Sequence, residues 1–151
     1  MNELEAESAE VFLSLVPQAE PMPGCLDLLT ALEKASIPRG ITTSSRPELI
    51  EPILERFGML DRFAFRLTSC DIAKSKPDPE IYLTAAERFA IRPEQLMVLE
   101  DSQVGCAAAV AANAFAVAVP SRSKGQTDFP GAALVVDTLE SREIYAALGL
   151  E

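Results

Sequence analysis

The sequence contains no histidine among its 151 residues. Ser-His-Asp and Cys-His catalysis both need a histidine as the base, so both are excluded. The same absence weighs against a zinc site, because histidine is a principal zinc ligand. Any acid–base chemistry must therefore use carboxylates, lysine or water.

Three further features are missing: paired cysteines, a membrane-length apolar run and clustered cations. Cys25, Cys70 and Cys106 include no CxxC pair, which predicts small buried residues in a reducing compartment. No apolar run approaches about 20 residues, so no membrane helix is expected. The 13 basic residues are scattered among 23 acidic ones, which excludes nucleic-acid binding. The acidic start, Met1 to Glu5, is neither a signal nor a transit peptide, and we expect a cytoplasmic protein.

Helical stripes alternate along the chain with short apolar runs. Hydrophobic residues make up 48% of the sequence, enough for one domain with its own core. The periodicity predicts helices over 4–16, around 28–32, over 49–57, from Asp78-Pro79 onwards, and over 107–112. It predicts strands over 40–43, 65–68, 96–99, 115–119 and 133–136. This alternation indicates an α/β fold with a parallel sheet flanked by helices.

Polar segments follow three of these strands, at the sheet end where open α/β folds place their sites. The first runs from Thr42 to Ser45 and leads into a helix beginning near Pro47. Hydroxyls and backbone amides at a helix N-terminus can form a cradle for an anion. A simple hydroxyl N-cap is the alternative interpretation.

The second polar segment places Lys76 before two prolines, Pro77 and Pro79. A residue before proline avoids the helical region, so this segment is stiff and extended. The stiffness could aim the ammonium group at a phosphoryl oxygen. Taken alone, however, the segment is better explained as a surface lysine at a proline-capped helix start.

The third polar segment places Glu100 and Asp101 directly after the most apolar strand. Adjacent carboxylates at the end of a buried strand repel each other and are costly to desolvate. A Mg2+ ion resolves both problems, because it prefers hard oxygen ligands. The alternative is an acidic N-cap at Asp101 or Ser102, which leaves one of the two acids unexplained.

Together the segments give the order hydroxyl, lysine, paired acids, with separations of 33 (76 − 43) and 24 (100 − 76) residues. This arrangement resembles the haloacid dehalogenase (HAD) superfamily, in particular its β-phosphoglucomutase and phosphoglycolate phosphatase branch. The resemblance runs from about Pro23 to Pro120 and includes Asp61-Arg62-Phe63, the Lys-Pro-x-Pro block and Glu-Asp-Ser-x-x-Gly ending at Gly105. It implies a Rossmann-like parallel sheet and a Mg2+-dependent phosphatase or phosphomutase that acts on a small phosphorylated metabolite through an aspartyl-phosphate.

The resemblance also implies a role for each site residue. Thr43 and the backbone amide of Ser44 would bind the phosphoryl group. Lys76 would neutralise the charge of the phosphoryl group and of the nucleophile. Glu100 and Asp101 would hold Mg2+, directly or through water.

One motif of the superfamily is missing from these 151 residues. An Asp-x-Asp pair there supplies the nucleophile and the general acid–base, on a central strand upstream of an inserted helical cap; no Asp-x-Asp occurs in this sequence. We therefore expect residues 1–22 to be the closing cap helix with its connector, and 23–151 to be a truncated core that is inactive alone. The alternative is a non-catalytic α/β module that binds a phosphate or a partner.

Without that central strand, two neighbouring strands would expose their edges. The strand ending at Thr43 and the strand ending at Leu99 could pair directly. Alternatively, residues 10–16 could form a substitute strand, or a second copy could contribute one. We expect direct pairing or a homodimer contact through the sheet edges.

Overall fold

The computed structural model describes residues 3–121, 125 and 128–150 of the chain. Its α-helices, in chain order, are α1 (Glu3–Leu15), α2 (Cys25–Lys34), α3 (Pro47–Arg56), α4 (Glu80–Phe89), α5 (Gln103–Ala111) and α6 (Arg142–Ala147). Its strands are β1 (Ile41–Thr42), β2 (Arg66–Leu67), β3 (Met97–Glu100), β4 (Phe115–Ala118) and β5 (Leu134–Val135).

All strand pairings in the described residues are parallel. β1 pairs with β2, with Ile41 opposite Arg66. β3, β4 and β5 form a second sheet in that order, with Met97 opposite Phe115 and Val117 opposite Leu134. α3 connects β1 to β2 and α5 connects β3 to β4, as parallel pairing of consecutive strands requires. The predicted α/β fold, with parallel sheets flanked by helices, is confirmed.

A cavity of about 550 Å³ separates the two sheets. We call it the inter-sheet cavity; the edges of β1 and β3 line it through residues 40–42 and 96–99. Within the described residues β1 pairs only with β2, and β3 only with β4. The expectation that these two strands pair directly is therefore wrong.

Helix side chains also line the inter-sheet cavity beside the two strand edges. Among them are Leu28 and Leu29 of α2 and Tyr82 and Ala85 of α4. The alternative of a substitute strand over residues 10–16 is wrong too, because α1 and a 3-10 turn cover that segment. The homodimer contact stays a prediction.

Hydrophobic packing organises the fold around its sheets. The largest buried cluster joins α4 and α5 to β2, β3 and β4, and includes Leu67, Ile81 and Cys106. A second cluster lies on the opposite side of β4 and includes Leu28, Val117 and Ile144. The site-bearing end of β3 is therefore fixed by helices on both faces of its sheet. Among the described helices, none combines the length and the apolar character needed to cross a membrane.

Several boundaries differ from the sequence-based predictions. The helix predicted from Asp78-Pro79 onwards begins at Glu80, with Pro79 as the residue before it. The Asp78 carboxylate accepts a hydrogen bond from the Glu80 amide at 3.1 Å. α5 begins at Gln103 rather than at residue 107, because Ser102 caps it. Asn113, two residues after the end of α5, has φ of 59°, a left-handed conformation that asparagine tolerates better than most residues.

The three cysteines differ in how far they are exposed to solvent. Cys106 is buried, Cys25 is half-buried and Cys70 is exposed, so the expectation of three buried cysteines is wrong for Cys70. Cys70 lies in the turn after β2. None of the three forms a disulfide in the described residues.

Candidate phosphate- and metal-binding site

Lys76 and Glu100 form an ion pair at the carboxyl end of β3. The ammonium nitrogen of Lys76 contacts Oε1 of Glu100, and each side chain is only 10% exposed. Lys76 lies in the segment between β2 and α4, and its peptide bond to Pro77 is cis. An ion pair shielded this far from water is stable only when further hydrogen bonds satisfy its remaining atoms. Glu100 meets that requirement through its other neighbours.

Three residues besides Lys76 surround the Glu100 carboxylate. The hydroxyl of Tyr82 donates to Oε1, and the hydroxyl of Ser102 lies 3.3 Å from Oε2. Gly105 lies directly against the same carboxylate, and a Cβ at this position would overlap both of its oxygens. Ser102 also accepts from the Gly105 amide at 3.1 Å, which caps α5. The start of α5 therefore provides one wall of the Glu100 site.

Tyr82 is almost completely buried, with 2% of its surface exposed. Burial, followed by the Glu100 charge and the hydrogen bond to Glu100, raises the pKa of Tyr82 well above its ordinary value. A side-chain hydrogen bond with Thr42 has a smaller effect and lowers that pKa. Tyr82 is thus a protonated donor at neutral pH, and it stands between the end of β1 and the end of β3.

The hydroxyl-rich segment forms a turn between β1 and α3. The Thr43 amide donates to the Leu67 carbonyl at 2.9 Å, and the Thr43 hydroxyl oxygen accepts from the Ser45 amide at 3.1 Å. Since that oxygen acts as acceptor, the hydroxyl hydrogen can be donated to a different group. Ser44 is exposed. Between this turn and Lys76 or Glu100, the described residues show no direct hydrogen bond; Thr42 and Tyr82 lie between them.

The two adjacent acids at the end of β3, Glu100 and Asp101, fit part of a Mg2+ site. Lys76 and Tyr82 both bond to Glu100 Oε1, whereas Oε2 accepts a hydrogen bond from Ser102 at 3.3 Å. Half-buried Asp101 follows in the chain. In the described part of the chain, no three carboxylate, cysteine or histidine groups gather into a metal cluster. Mg2+ keeps several waters and commonly takes one or two carboxylates plus substrate phosphate, so two acids suit it better than they suit zinc.

Sequence reasoning missed Tyr82 as a member of the site. The periodicity predicted a helix from Asp78-Pro79 onwards, and Tyr82 does lie on the buried face of that helix with Ile81 and Ala85. A usable signal was present, because a tyrosine on a fully buried helix face needs a partner for its hydroxyl. Ser102 was considered only as a helix cap, and the structure adds its contact with Glu100.

Comparisons with known proteins agree with this architecture. A family model described as haloacid dehalogenase-like hydrolase matches residues 3–113. Validoxylamine A 7'-phosphate phosphatase of Streptomyces hygroscopicus subsp. limoneus is 32% identical over 94% of this chain and 67% of its own length. β-Phosphoglucomutase of Bacillus subtilis is 35% identical over 73% of this chain and 48% of its own length.

A solved structure shows the same fold. The crystal structure of CbbY from Rhodobacter sphaeroides in complex with phosphate superimposes with a TM-score of 0.82 at 26% identity. The alignment covers 91% of this chain and 63% of CbbY. The chain thus spans about half to two-thirds of the length of these relatives.

Proposed function

The chain belongs to the haloacid dehalogenase-like hydrolases, and from that membership we propose that it forms the phosphate- and Mg2+-binding part of a phosphatase or phosphomutase. The substrate class we propose is a small phosphorylated metabolite, since the relatives include a validoxylamine phosphate phosphatase and a phosphoglucomutase. We also propose a cytoplasmic location, because its cysteines are unpaired in the described residues.

The shielded pair of Lys76 and Glu100 is the observation that carries this proposal. A lysine only 10% exposed is stable as a cation only among compensating charges, and here it lies at the carboxyl end of β3 where a site is expected. A phosphoryl group entering beside Glu100 would find this cation next to it, bound to the Glu100 carboxylate. Thr43 would donate its hydroxyl hydrogen to the same group, and the Ser44 amide would add a second donor.

Glu100 and Asp101 would hold the Mg2+ ion. When bound, the ion would supply positive charge to the phosphoryl oxygens and reduce the repulsion between the two carboxylates. Oε2 of Glu100 is the better-placed oxygen, because Oε1 already serves Lys76 and Tyr82.

The reaction we propose uses an aspartate nucleophile from outside these 151 residues. Its carboxylate oxygen would bond to phosphorus while the bond from phosphorus to the leaving oxygen breaks, and water would later hydrolyse the aspartyl-phosphate. The sequence contains no Asp-x-Asp to perform this attack. The edges of β1 and β3 beside the inter-sheet cavity are where the resemblance would place the strand that carries it. We accordingly propose that these residues bind phosphate but do not turn it over.

A non-catalytic phosphate- or partner-binding module is the second candidate, and the missing Asp-x-Asp favours it. The presence of Thr43, Lys76, Glu100 and Asp101 together favours the enzyme, because a chain released from catalysis would have lost at least one of them.

Isothermal titration with inorganic phosphate in the presence of Mg2+ tests the proposed site. Lys76→Ala should weaken phosphate binding roughly 10- to 100-fold, the range expected for losing a charged hydrogen bond. Lys74→Ala is the matched control, because Lys74 is 73% exposed and pairs with Asp78. Equal affinities for the wild type and both variants would overturn the proposal.

A further inference from the structure

Tyr82 touches both charged groups of the site at once. Its hydroxyl donates to Oε1 of Glu100, the oxygen that Lys76 also contacts. Its ring lies beneath the Lys76 ammonium, whose nitrogen is 5.0 Å from the ring centroid. Such a cation over an aromatic ring is attracted by the electrons of the ring face. One buried side chain therefore stabilises an anion through its hydroxyl and a cation through its ring.

This double contact matters because Lys76 has two tasks in the proposed function. In the structure it neutralises Glu100, and during phosphate binding it must also meet a phosphoryl oxygen. If Lys76 were the sole partner of Oε1, moving toward phosphate would leave a carboxylate oxygen buried without a partner, which is costly. The Tyr82 hydroxyl removes that cost, since it stays bonded to Oε1 when the ammonium shifts.

We propose that Tyr82 is a positioning residue that keeps Glu100 in place while Lys76 moves from Glu100 toward a bound phosphoryl group. The proposal rests on the proposed function, because it assumes that phosphate binds beside Lys76. Tyr82 itself would not contact phosphate. It would act through Glu100 and Lys76, held by its own position on the buried face of α4.

The fold supports this role. Tyr82 is the third residue of α4 and follows Ile81, which is fully buried. Its ring lines the inter-sheet cavity beside the end of β1, while its hydroxyl reaches the end of β3. Because Tyr82 is only 2% exposed and its hydroxyl is bonded to Oε1, it stays beside Glu100 when the lysine moves.

A double-mutant cycle tests the proposal with inorganic phosphate as the probe. Tyr82→Phe keeps the ring and removes only the hydroxyl, and we expect the phosphate affinity to fall about tenfold, the size of one hydrogen bond to a charged group. In a Lys76→Ala background the same change should have little effect on phosphate affinity, because Tyr82 acts through Lys76. A merely structural role would give the same loss in both backgrounds. Tyr145→Phe is the control, since Tyr145 lies in α6 and is the only other tyrosine.

The outcomes separate this inference from the proposed function. A wild type that fails to bind phosphate overturns the proposed function and the inference with it. A wild type that binds phosphate while folded Tyr82→Phe binds it equally well overturns the inference alone.

A second measurement needs no variant, in case Tyr82→Phe does not fold. The Tyr82 hydroxyl proton is buried in a hydrogen bond to a carboxylate, so its proton NMR signal should exchange slowly with water. Adding phosphate should shift this signal as Lys76 leaves Oε1, with no matching change at Tyr145. A Tyr82 hydroxyl signal that is unchanged at saturating phosphate would contradict the proposal.

Discussion

Gly105 lies directly against the carboxylate of Glu100, so that a Cβ on Gly105 would overlap both carboxylate oxygens. The same residue belongs to the first turn of α5, where its amide donates to the capping hydroxyl of Ser102 at 3.1 Å. Because residue 105 has no side chain, the first turn of α5 and the Glu100 carboxylate can pack directly against each other.

Gly105→Ala should disturb both the site geometry and the stability of the fold. The added methyl group should push Glu100 away from Lys76 and Tyr82, and we expect phosphate and Mg2+ affinity to fall at least about tenfold. The free energy of unfolding should fall as well, because a buried charge separated from its partners costs more than the up to about 1 kcal/mol that alanine gains over glycine inside a helix. Titration calorimetry and urea unfolding measure the two effects. Val104→Ala is the control, because Val104 is exposed on the same helix, and it should leave both phosphate and Mg2+ affinity unchanged. Unchanged phosphate and Mg2+ affinity in Gly105→Ala would contradict this account of the site.

Ser102→Ala should lower the free energy of unfolding by about 1 kcal/mol, because it removes the N-cap of α5. It should also weaken Mg2+ binding, since the hydroxyl lies 3.3 Å from Glu100 Oε2. Ser141→Ala provides the comparison, because Ser141 caps α6 away from the site. We expect a stability loss in both variants and a loss of Mg2+ affinity only in Ser102→Ala, as measured by urea unfolding and calorimetry. Equal Mg2+ affinity in both would argue against Glu100 as a ligand.

Amide hydrogen exchange should show an alternating pattern along the edges of the inter-sheet cavity. The Ile41 and Thr43 amides donate to Phe65 and Leu67 of the neighbouring segment, at 3.1 and 2.9 Å. The Thr42 amide between them points to the other side, toward the cavity, as backbone groups alternate along a strand. We expect Thr42 to exchange faster than Ile41 and Thr43. Uniform protection would show that a further chain covers this edge, which sedimentation would then reveal as a homodimer.

Acid should weaken the turn after β2. Asp71 accepts from the Thr68 amide at 2.8 Å and from the Thr68 hydroxyl at 2.7 Å, and these hydrogen bonds, the hydroxyl first, lower the pKa of Asp71. A lowered pKa stabilises the fold above the ordinary aspartate range, and this contribution is lost as pH falls through the lowered value. Asp71→Asn should therefore reduce acid sensitivity, with a cost at neutral pH below about 1 kcal/mol because Asp71 is exposed. Urea unfolding at a series of pH values measures the free energy of unfolding of each protein, with Asp61→Asn, at another exposed position, as the control. If Asp71→Asn and the wild type lost stability equally as pH falls, the prediction would be contradicted.

The sequence predicted those parts of the fold that depend on local periodicity. The buried run before Glu100 and the stripe that contains Ile81 specify β3 and α4, and parallel strands bring their polar ends to one side. The contact between Lys76 and Glu100 agrees with that expectation. Helix α6 was missed because it is short and its main signal is the capping hydroxyl of Ser141.

Features that depend on tertiary contacts could not be predicted in the same way. β1 and β3 are separated by a cavity that side chains of α2 and α4 help to line, and no local sequence pattern predicts such a tertiary arrangement. The contact of the Tyr82 hydroxyl with Glu100 joins residues 18 positions apart, and only the folded chain shows which carboxylate the hydroxyl reaches. The early start of α5 was missed because the alanine-rich stripe after Gly105 outweighed the cap at Ser102.

Phosphorus-31 NMR of a generic aryl phosphate tests the central claim, that these 151 residues contain a phosphate site without its nucleophile. With Mg2+ at millimolar levels, the substrate resonance should broaden on adding the wild-type chain and should not broaden with Lys76→Ala. No signal of inorganic phosphate should accumulate in either sample. Inorganic phosphate that accumulates with the wild type and not with Lys76→Ala would contradict the account, because it would reveal a nucleophile within the chain.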